Sequence, residues 1–212
     1  MQTLTEVALE KATAGVFTRS EVACWLGGTD ERQYSLLKRA LKADEVVLLR
    51  RGLYCLANKY LRRKPNPFVL AQRVYGPSYV SLESALSQHG WIPEAAYVVT
   101  SASLNRSREF NTPVGIFSFA RVPQATLYAD VQRLEDGDAG SYFLASPLKA
   151  LADYVYVHAC DWESARPLVE SLRVEESSLN AITRPSIDRL TGNCNSRRVR
   201  RFLEGLGKDL GL

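Results

Sequence analysis

Residues 18–57 read TRSEVACWLGGTDERQYSLLKRALKADEVVLLRRGLYCLA, and the order of signals along this stretch decides the fold. Thr18 followed three positions later by Glu21 is a capping box, in which each side chain satisfies the other residue's backbone N–H. A short helix should start there and bury Val22, Ala23, Trp25 and Leu26 until Gly27-Gly28 stops it. Thr29 or Asp30 caps a further helix reaching about Ala43, and Tyr34, Leu37, Ala40 and Leu41 recur at helical spacing as its expected apolar stripe. The run Glu45 to Arg50 is β-like, Arg51-Gly52 is a turn signal, and Leu53 to Ala57 returns as a second strand.

Upstream, Leu4, Val7, Ala8 and Leu9 predict a helix over residues 3–14, ended by Gly15. Helix, helix, turn, helix and hairpin follow one another by residue 57, the order of a winged helix-turn-helix, here assigned to residues 1–62. The basic segment Leu61 to Pro67 reads as a linker that Pro65 and Pro67 keep extended. Residues 63–212 mix both element types. A helix is expected from Ser81 to His89, closed by Gly90, and strands at 96–101, 114–122 and 141–145. Ser146-Pro147 should open a helix burying Leu148, Leu151, Ala152, Val155 and Tyr156. Further helices are expected around 162–173, 178–190 and 195–207. The fold class is therefore α+β: a winged helix-turn-helix, then a mixed α/β domain that ends in helices and a basic tail.

Composition fits a globular chain, with 46% hydrophobic and 24% charged residues. The net charge of +4 is unevenly spread. Residues 1–64 hold 12 Lys and Arg against 7 Asp and Glu, residues 65–190 hold 10 against 14, and residues 191–212 hold 5 against 2. A basic head and tail around an acidic middle point to a polyanionic partner. No signal peptide is visible at Met1 to Glu6 and no apolar run is long enough to span a membrane, so a cytoplasmic location is expected. Cys24, Cys55, Cys160 and Cys194 lack metal-site spacing and read as reduced, mostly packed thiols.

Within the third helix Arg32, Ser35, Arg39 and Lys42 recur at steps of three and four, away from Leu37 and Leu41. A helix fits the major groove, where Arg bridges guanine acceptors and Gln pairs with adenine. Arg32 and Gln33, in the first turn, are the candidates for base edges, because the start of a recognition helix reaches deepest. Lys38, Arg39 and Lys42 are candidates for phosphates, as are Arg50 and Arg51 at the hairpin tip and Arg62, Arg63 and Lys64 beyond it. Arg197, Arg198, Arg200 and Arg201 in the tail would extend that surface. The expected partner is double-stranded DNA; the competing reading is a basic but merely solvated helix face.

Enzyme signals are weak. No G-x-G-x-x-G, G-x-x-x-x-G-K-[ST] or H-E-x-x-H occurs, and neither cofactor nor metal is expected. Gly27-Gly28-Thr29 has the look of a nucleotidyltransferase start, but that chemistry needs spaced aspartates, and Asp44-Glu45 are adjacent. His89 and His158 have no recognisable nucleophile partner. Asp130, Glu135, Asp136 and Asp138 are the acids a metal-dependent nuclease would use, and Asp136-Gly137-Asp138 reads better as a loop.

Four phrases resemble the AbiEi-like antitoxin family of type IV toxin–antitoxin systems. They are Arg51-Gly52-Leu53-Tyr54; Tyr79-Val80-Ser81-Leu82-Glu83-Ser84-Ala85-Leu86 with His89-Gly90; the run at Ile116-Phe117-Ser118-Phe119; and Ala145-Ser146-Pro147-Leu148-Lys149-Ala150-Leu151-Ala152-Asp153. The likeness covers about residues 3–160, and it departs from the family at Leu148, where an acidic residue is frequent. It implies an autorepressor that binds inverted repeats in its own promoter and counteracts a nucleotidyltransferase-like toxin encoded next door, without a stable complex being required. DNA binding would fall to the first domain and antitoxicity to the second. On the residues alone, Asp153 has a bland partner in Lys149, four positions earlier on the same helix.

Overall fold

In the computed structural model, which describes residues 3–94, 96–137 and 140–212, the first elements form where their caps demand. Thr3 and Glu6 make a capping box that starts α1 (Leu4–Lys11), and Thr18 and Glu21 make a second that starts α2 (Arg19–Leu26). Between them runs a short strand, β1 (Val16–Thr18), which periodicity did not reveal because it is three residues long. Gly27 and Gly28 turn the chain with φ of 56° and 78°, values that a side chain disfavours. Thr29 then accepts a bond from Arg32 N to begin α3 (Asp30–Lys42). The hairpin of β2 (Val46–Arg50) and β3 (Leu53–Leu56) turns at Gly52, φ 81°. Strand order is β1-β3-β2, all antiparallel.

This small sheet is buried on both faces. Along β3 successive side chains alternate in direction. Tyr54 and Leu56 join Leu4, Ala8, Phe17, Val22, Leu36, Leu37 and Ala40 under the three helices. Leu53 and Cys55 join Val16 and Leu49 on the other face, against Leu70, Ala71, Val74, Val99, Phe117 and Phe119. A bulge between Leu48 and Arg50 re-aims β2 at this point, sending Leu49 inward.

The segment expected to be an extended linker is short and docked. Leu61 packs against both faces' clusters, and Asn66 caps α4 (Pro67–Val74), with Pro67 at its first position. After β4 (Ser78–Val80) and α5 (Leu82–Gln88) come β5 (Val98–Ser103), β6 (Arg108–Thr112), β7 (Gly115–Arg121), β8 (Val131–Glu135) and β9 (Ser141–Ala145). They form a six-stranded mixed sheet of order β6-β7-β5-β4-β9-β8, with β5–β7 and β4–β9 parallel. The chain finishes with α6 (Pro147–Val157), α7 (Arg166–Leu172), α8 (Glu176–Leu179), α9 (Arg184–Asn193) and α10 (Arg197–Asp209).

The faces of the large sheet order the molecule into layers. Val99 packs with Phe117, Phe119 and the α4 residues Leu70, Ala71 and Val74. Its neighbour Thr100 points the other way, its hydroxyl donating to Ser81 O and accepting from Ser84 N on α5. Helices α5 and α6 touch each other on that second face, and α9 and α10 pack outside α6. Counting from one end, the layers are α1–α3, small sheet, α4 with the large sheet, α5 with α6, and then α9 with α10. The architecture is α+β, a helix-and-strand region followed by a region that ends in helices. Among the described residues no helix is long and apolar enough to cross a membrane.

Candidate nucleic-acid interface

Helix α3 buries Gln33, Leu36, Leu37 and Ala40 and exposes Glu31, Arg32, Tyr34, Ser35, Lys38, Arg39 and Lys42. Gln33 therefore cannot reach a base edge, which corrects the sequence expectation. Its side-chain amide donates to Gly27 O at 3.2 Å and Gly28 O at 3.3 Å, satisfying carbonyls left open by the α2–α3 turn. Tyr34, expected in the apolar stripe, is 57% exposed instead. Leu37 and Ala40 stay in the buried stripe while Gln33 and Leu36 join it and Tyr34 leaves it, so an aromatic side chain joins the outward face.

Arg32, Lys38, Arg39, Lys42 and Arg51 are all exposed. None of them enters an ion pair among the described residues. Arg39 Nε makes one long contact to Ser35 O, 3.4 Å, within its own helix. Cations left unneutralised by the protein are those that phosphates can neutralise.

Arg50 behaves differently from the sequence expectation. Its Nε donates to Val74 O, its Nη2 to Arg73 O at 3.5 Å and its Nη1 to Arg51 O at 3.2 Å. The guanidinium sits on the last carbonyls of α4, where a cation suits the helix dipole. It ties the hairpin to α4 and is not free to contact a duplex. Arg73 crosses in the reverse direction, to Glu21 at 3.2 Å and to Val16 O at 3.4 Å. Arg62 is exposed, while Arg63 pairs with Asp136 at 3.2 Å. That pair is 73% exposed on the Arg63 side and holds the side chain only weakly.

The tail does not continue this surface, which is a further correction. Arg198 pairs with Asp161 and Arg201 with Glu163, both at 3.1 Å, and Arg200 donates to Cys194 O at 2.9 Å. Arg197 is exposed. All four lie on α10, the outermost layer at the opposite end of the molecule from α3.

A second polar constellation is buried. Asp153 of α6 accepts from Lys149 Nζ, from Tyr79 Oη at 2.8 Å and from Ser81 Oγ at 2.7 Å. Gln124 Nε2 donates to Tyr79 Oη at 3.0 Å, and Asn193 Nδ2 to Gln124 Oε1 at 3.3 Å. Lys149 and Asp153 are 4% and 1% exposed. Burial, then the Asp153 charge, raise the Tyr79 phenol well above its ordinary pKa. An adjoining cavity of about 20 Å³ has room for one water and nothing larger. Tyr79 and Ser81 come from one phrase that carried the family resemblance, Lys149 and Asp153 from another. The i,i+4 pair was legible in sequence, but its partners, Tyr79 on β4 and Ser81 at the head of α5, were not.

The acids considered for a nuclease are dispersed. Asp130 pairs with Arg189 at 3.0 Å, Asp136 with Arg63, and Glu135 with Arg133 at 3.3 Å, while Asp138 lies outside the described residues. Among the described residues no group of three or more His, Cys, Asp or Glu could hold a metal ion. In the would-be nucleotidyltransferase start, Thr29 caps α3 and Glu45 accepts from Thr5 Oγ1 at 2.6 Å. His89 Nε2 lies 2.9 Å from Ala145 O, and His158 Nε2 lies 2.8 Å from Glu83. All four cysteines are free; Cys24 is exposed, and burial pushes the Cys55 thiol up to about 11. Comparison of the sequence with models of protein families and with curated proteins finds no match.

Proposed function

We propose that residues 1–62 act as a winged helix-turn-helix that lays α3 in the major groove of duplex DNA. We further propose that the protein is an autorepressor and antitoxin of type IV, binding inverted repeats in its own promoter and counteracting a nucleotidyltransferase-like toxin. The observation that carries the DNA reading is α3 itself: one face packed on the small sheet, the other a row of exposed cations without ion-pair partners among the described residues. Its 13 residues span about 20 Å, and a helix fits a groove about 12 Å wide. The β2–β3 hairpin, with exposed Arg51 at its tip, supplies a wing for the neighbouring backbone. The four phrases that resemble the antitoxin family are what the second part of the proposal rests on.

Three to five phosphate contacts would weaken binding roughly 40- to 500-fold between 50 and 200 mM salt. Fluorescence anisotropy with a labelled duplex from the chain's own upstream region measures this. Equal affinity at the two salts would remove the DNA reading. Co-expression with the adjacent gene tests antitoxicity, because an antitoxin restores growth.

One observation favours a second reading, a winged-helix regulator whose second region binds an effector. A cleft of about 470 Å³, lined by Trp91, Asp130, Gln132, Ser146 and Arg189, is of a size that takes a small molecule. Growth that co-expression leaves unrescued, together with salt-sensitive DNA binding, would select this reading.

A further inference from the structure

We infer that Glu31 sets a base preference for cytosine, an inference that rests on the reading of α3 as the groove-entering helix. At about 100° per residue, the buried residues Gln33, Leu36, Leu37 and Ala40 define one pole of the helix. Glu31, Ser35, Lys38 and Lys42 lie along the opposite line, each within about 30° of the outward pole. Arg32 and Arg39 flank this line on one side and Tyr34 on the other. Glu31 is exposed and stands in the first turn of α3, the part of a recognition helix that reaches deepest.

Asp30, the other exposed carboxylate of that turn, stands about 110° from the outward pole, so beside Ser35, Lys38 and Lys42 on the outward line the acceptor-only group is the Glu31 carboxylate. Phosphates repel it, and so do the guanine O6 and N7 and the thymine O4 acceptors. The cytosine N4 amino group donates to it with no acceptor of the same base beside it, whereas the adenine N6 donor stands next to the repelling N7 acceptor. The residue thus opposes non-specific binding by the surrounding cations and rewards one base, which is how a repulsive group produces specificity. An acidic residue in a first helical turn also has a purely local role, since it complements the dipole. That role predicts a change in stability and no change in sequence preference.

Glu31→Gln separates the two, being nearly isosteric, uncharged and able to pair with adenine. Wild-type and E31Q proteins would each select duplexes from a random pool at fixed salt, and the enriched sequences would be compared. The wild type is expected to enrich a C·G pair at one position of its site. Replacing that pair should weaken binding roughly 5- to 100-fold. E31Q should lose that preference or shift it toward adenine, and should bind unrelated duplex more tightly. Identical enriched sequences for both proteins, with only a lower Tm for E31Q, would overturn the inference while leaving the DNA reading intact. A wild-type protein that enriches nothing and shows no salt-sensitive duplex binding would take down both.

Discussion

Gln33 sits at a core position flanked by leucines, and its amide is the donor that the α2–α3 turn requires. Gly27 and Gly28 adopt positive φ, and their carbonyls point at the flank of α3, where only a side chain of this length with an N–H can meet them. Gln33→Leu keeps a similar volume and removes both bonds, so the variant is expected to lose about 1–2 kcal/mol. Urea unfolding measures it, and a variant as stable as the wild type would show that the amide does not hold the turn. The same residue shows why part of the candidate site was illegible. Steps of three and four describe 33, 37 and 40 as well as 34, 37 and 41, and apolar Tyr34 favours the second set. The choice between them is made by two backbone carbonyls whose positions exist only once the turn has formed. Arg32, Lys38, Arg39 and Lys42 were legible as outward because Leu37 and Ala40 belong to the expected and the observed stripe alike, and none of the four cations lies on either.

Helix α6 is fixed to β4 by charge as well as by apolar contact. Asp153 accepts three bonds and is almost wholly buried, with Lys149 as the counter-charge beside it. Lys149→Met leaves that carboxylate without a counter-charge and is expected to cost about 3–5 kcal/mol. Adding Asp153→Asn, which still accepts from Tyr79 and Ser81, should recover at least half of the loss in the same denaturation experiment. A single variant less than about 1 kcal/mol below wild type would mean that solvent already reaches the pair. At this scale the sequence was legible where an element has a cap and a period: the Thr18–Glu21 capping box, α3, the hairpin, β7, β9, α6 and α10. It was not legible at α4, because Pro65-Asn66-Pro67 looks like an extended breaker, although Asn followed by Pro also makes a good helix start. Strand β6 was missed because Arg108-Glu109-Phe110-Asn111-Thr112 is a polar edge strand, held in place by its pairing with β7.

The whole molecule is joined through the small sheet. Val16, Leu49, Leu53 and Cys55 are buried against Leu70, Val74, Phe117 and Phe119, so the wall of the first region's core belongs to the second. Burying four such side chains stabilises by about 6–10 kcal/mol, against a total of about 5–15 kcal/mol for a typical domain. A fragment of residues 1–62 would expose all four on an open sheet face. It is expected to be unstructured or aggregated, even though it contains every cation of the α3 face. Circular dichroism and amide proton dispersion would show this, alongside a single cooperative unfolding transition for the full chain. A 1–62 fragment with dispersed resonances and full-chain affinity for duplex would overturn the argument, because the first region would then stand without its wall. Arg50 on the α4 carbonyls and Arg73 on Glu21 cross the boundary in opposite directions, one from the hairpin and one to the head of α2. Both contacts join α4 to the first region, so a displacement of α4 over the large sheet would strain the hairpin contact and the α2 contact together, which is a further reason to expect one unfolding transition for the full chain.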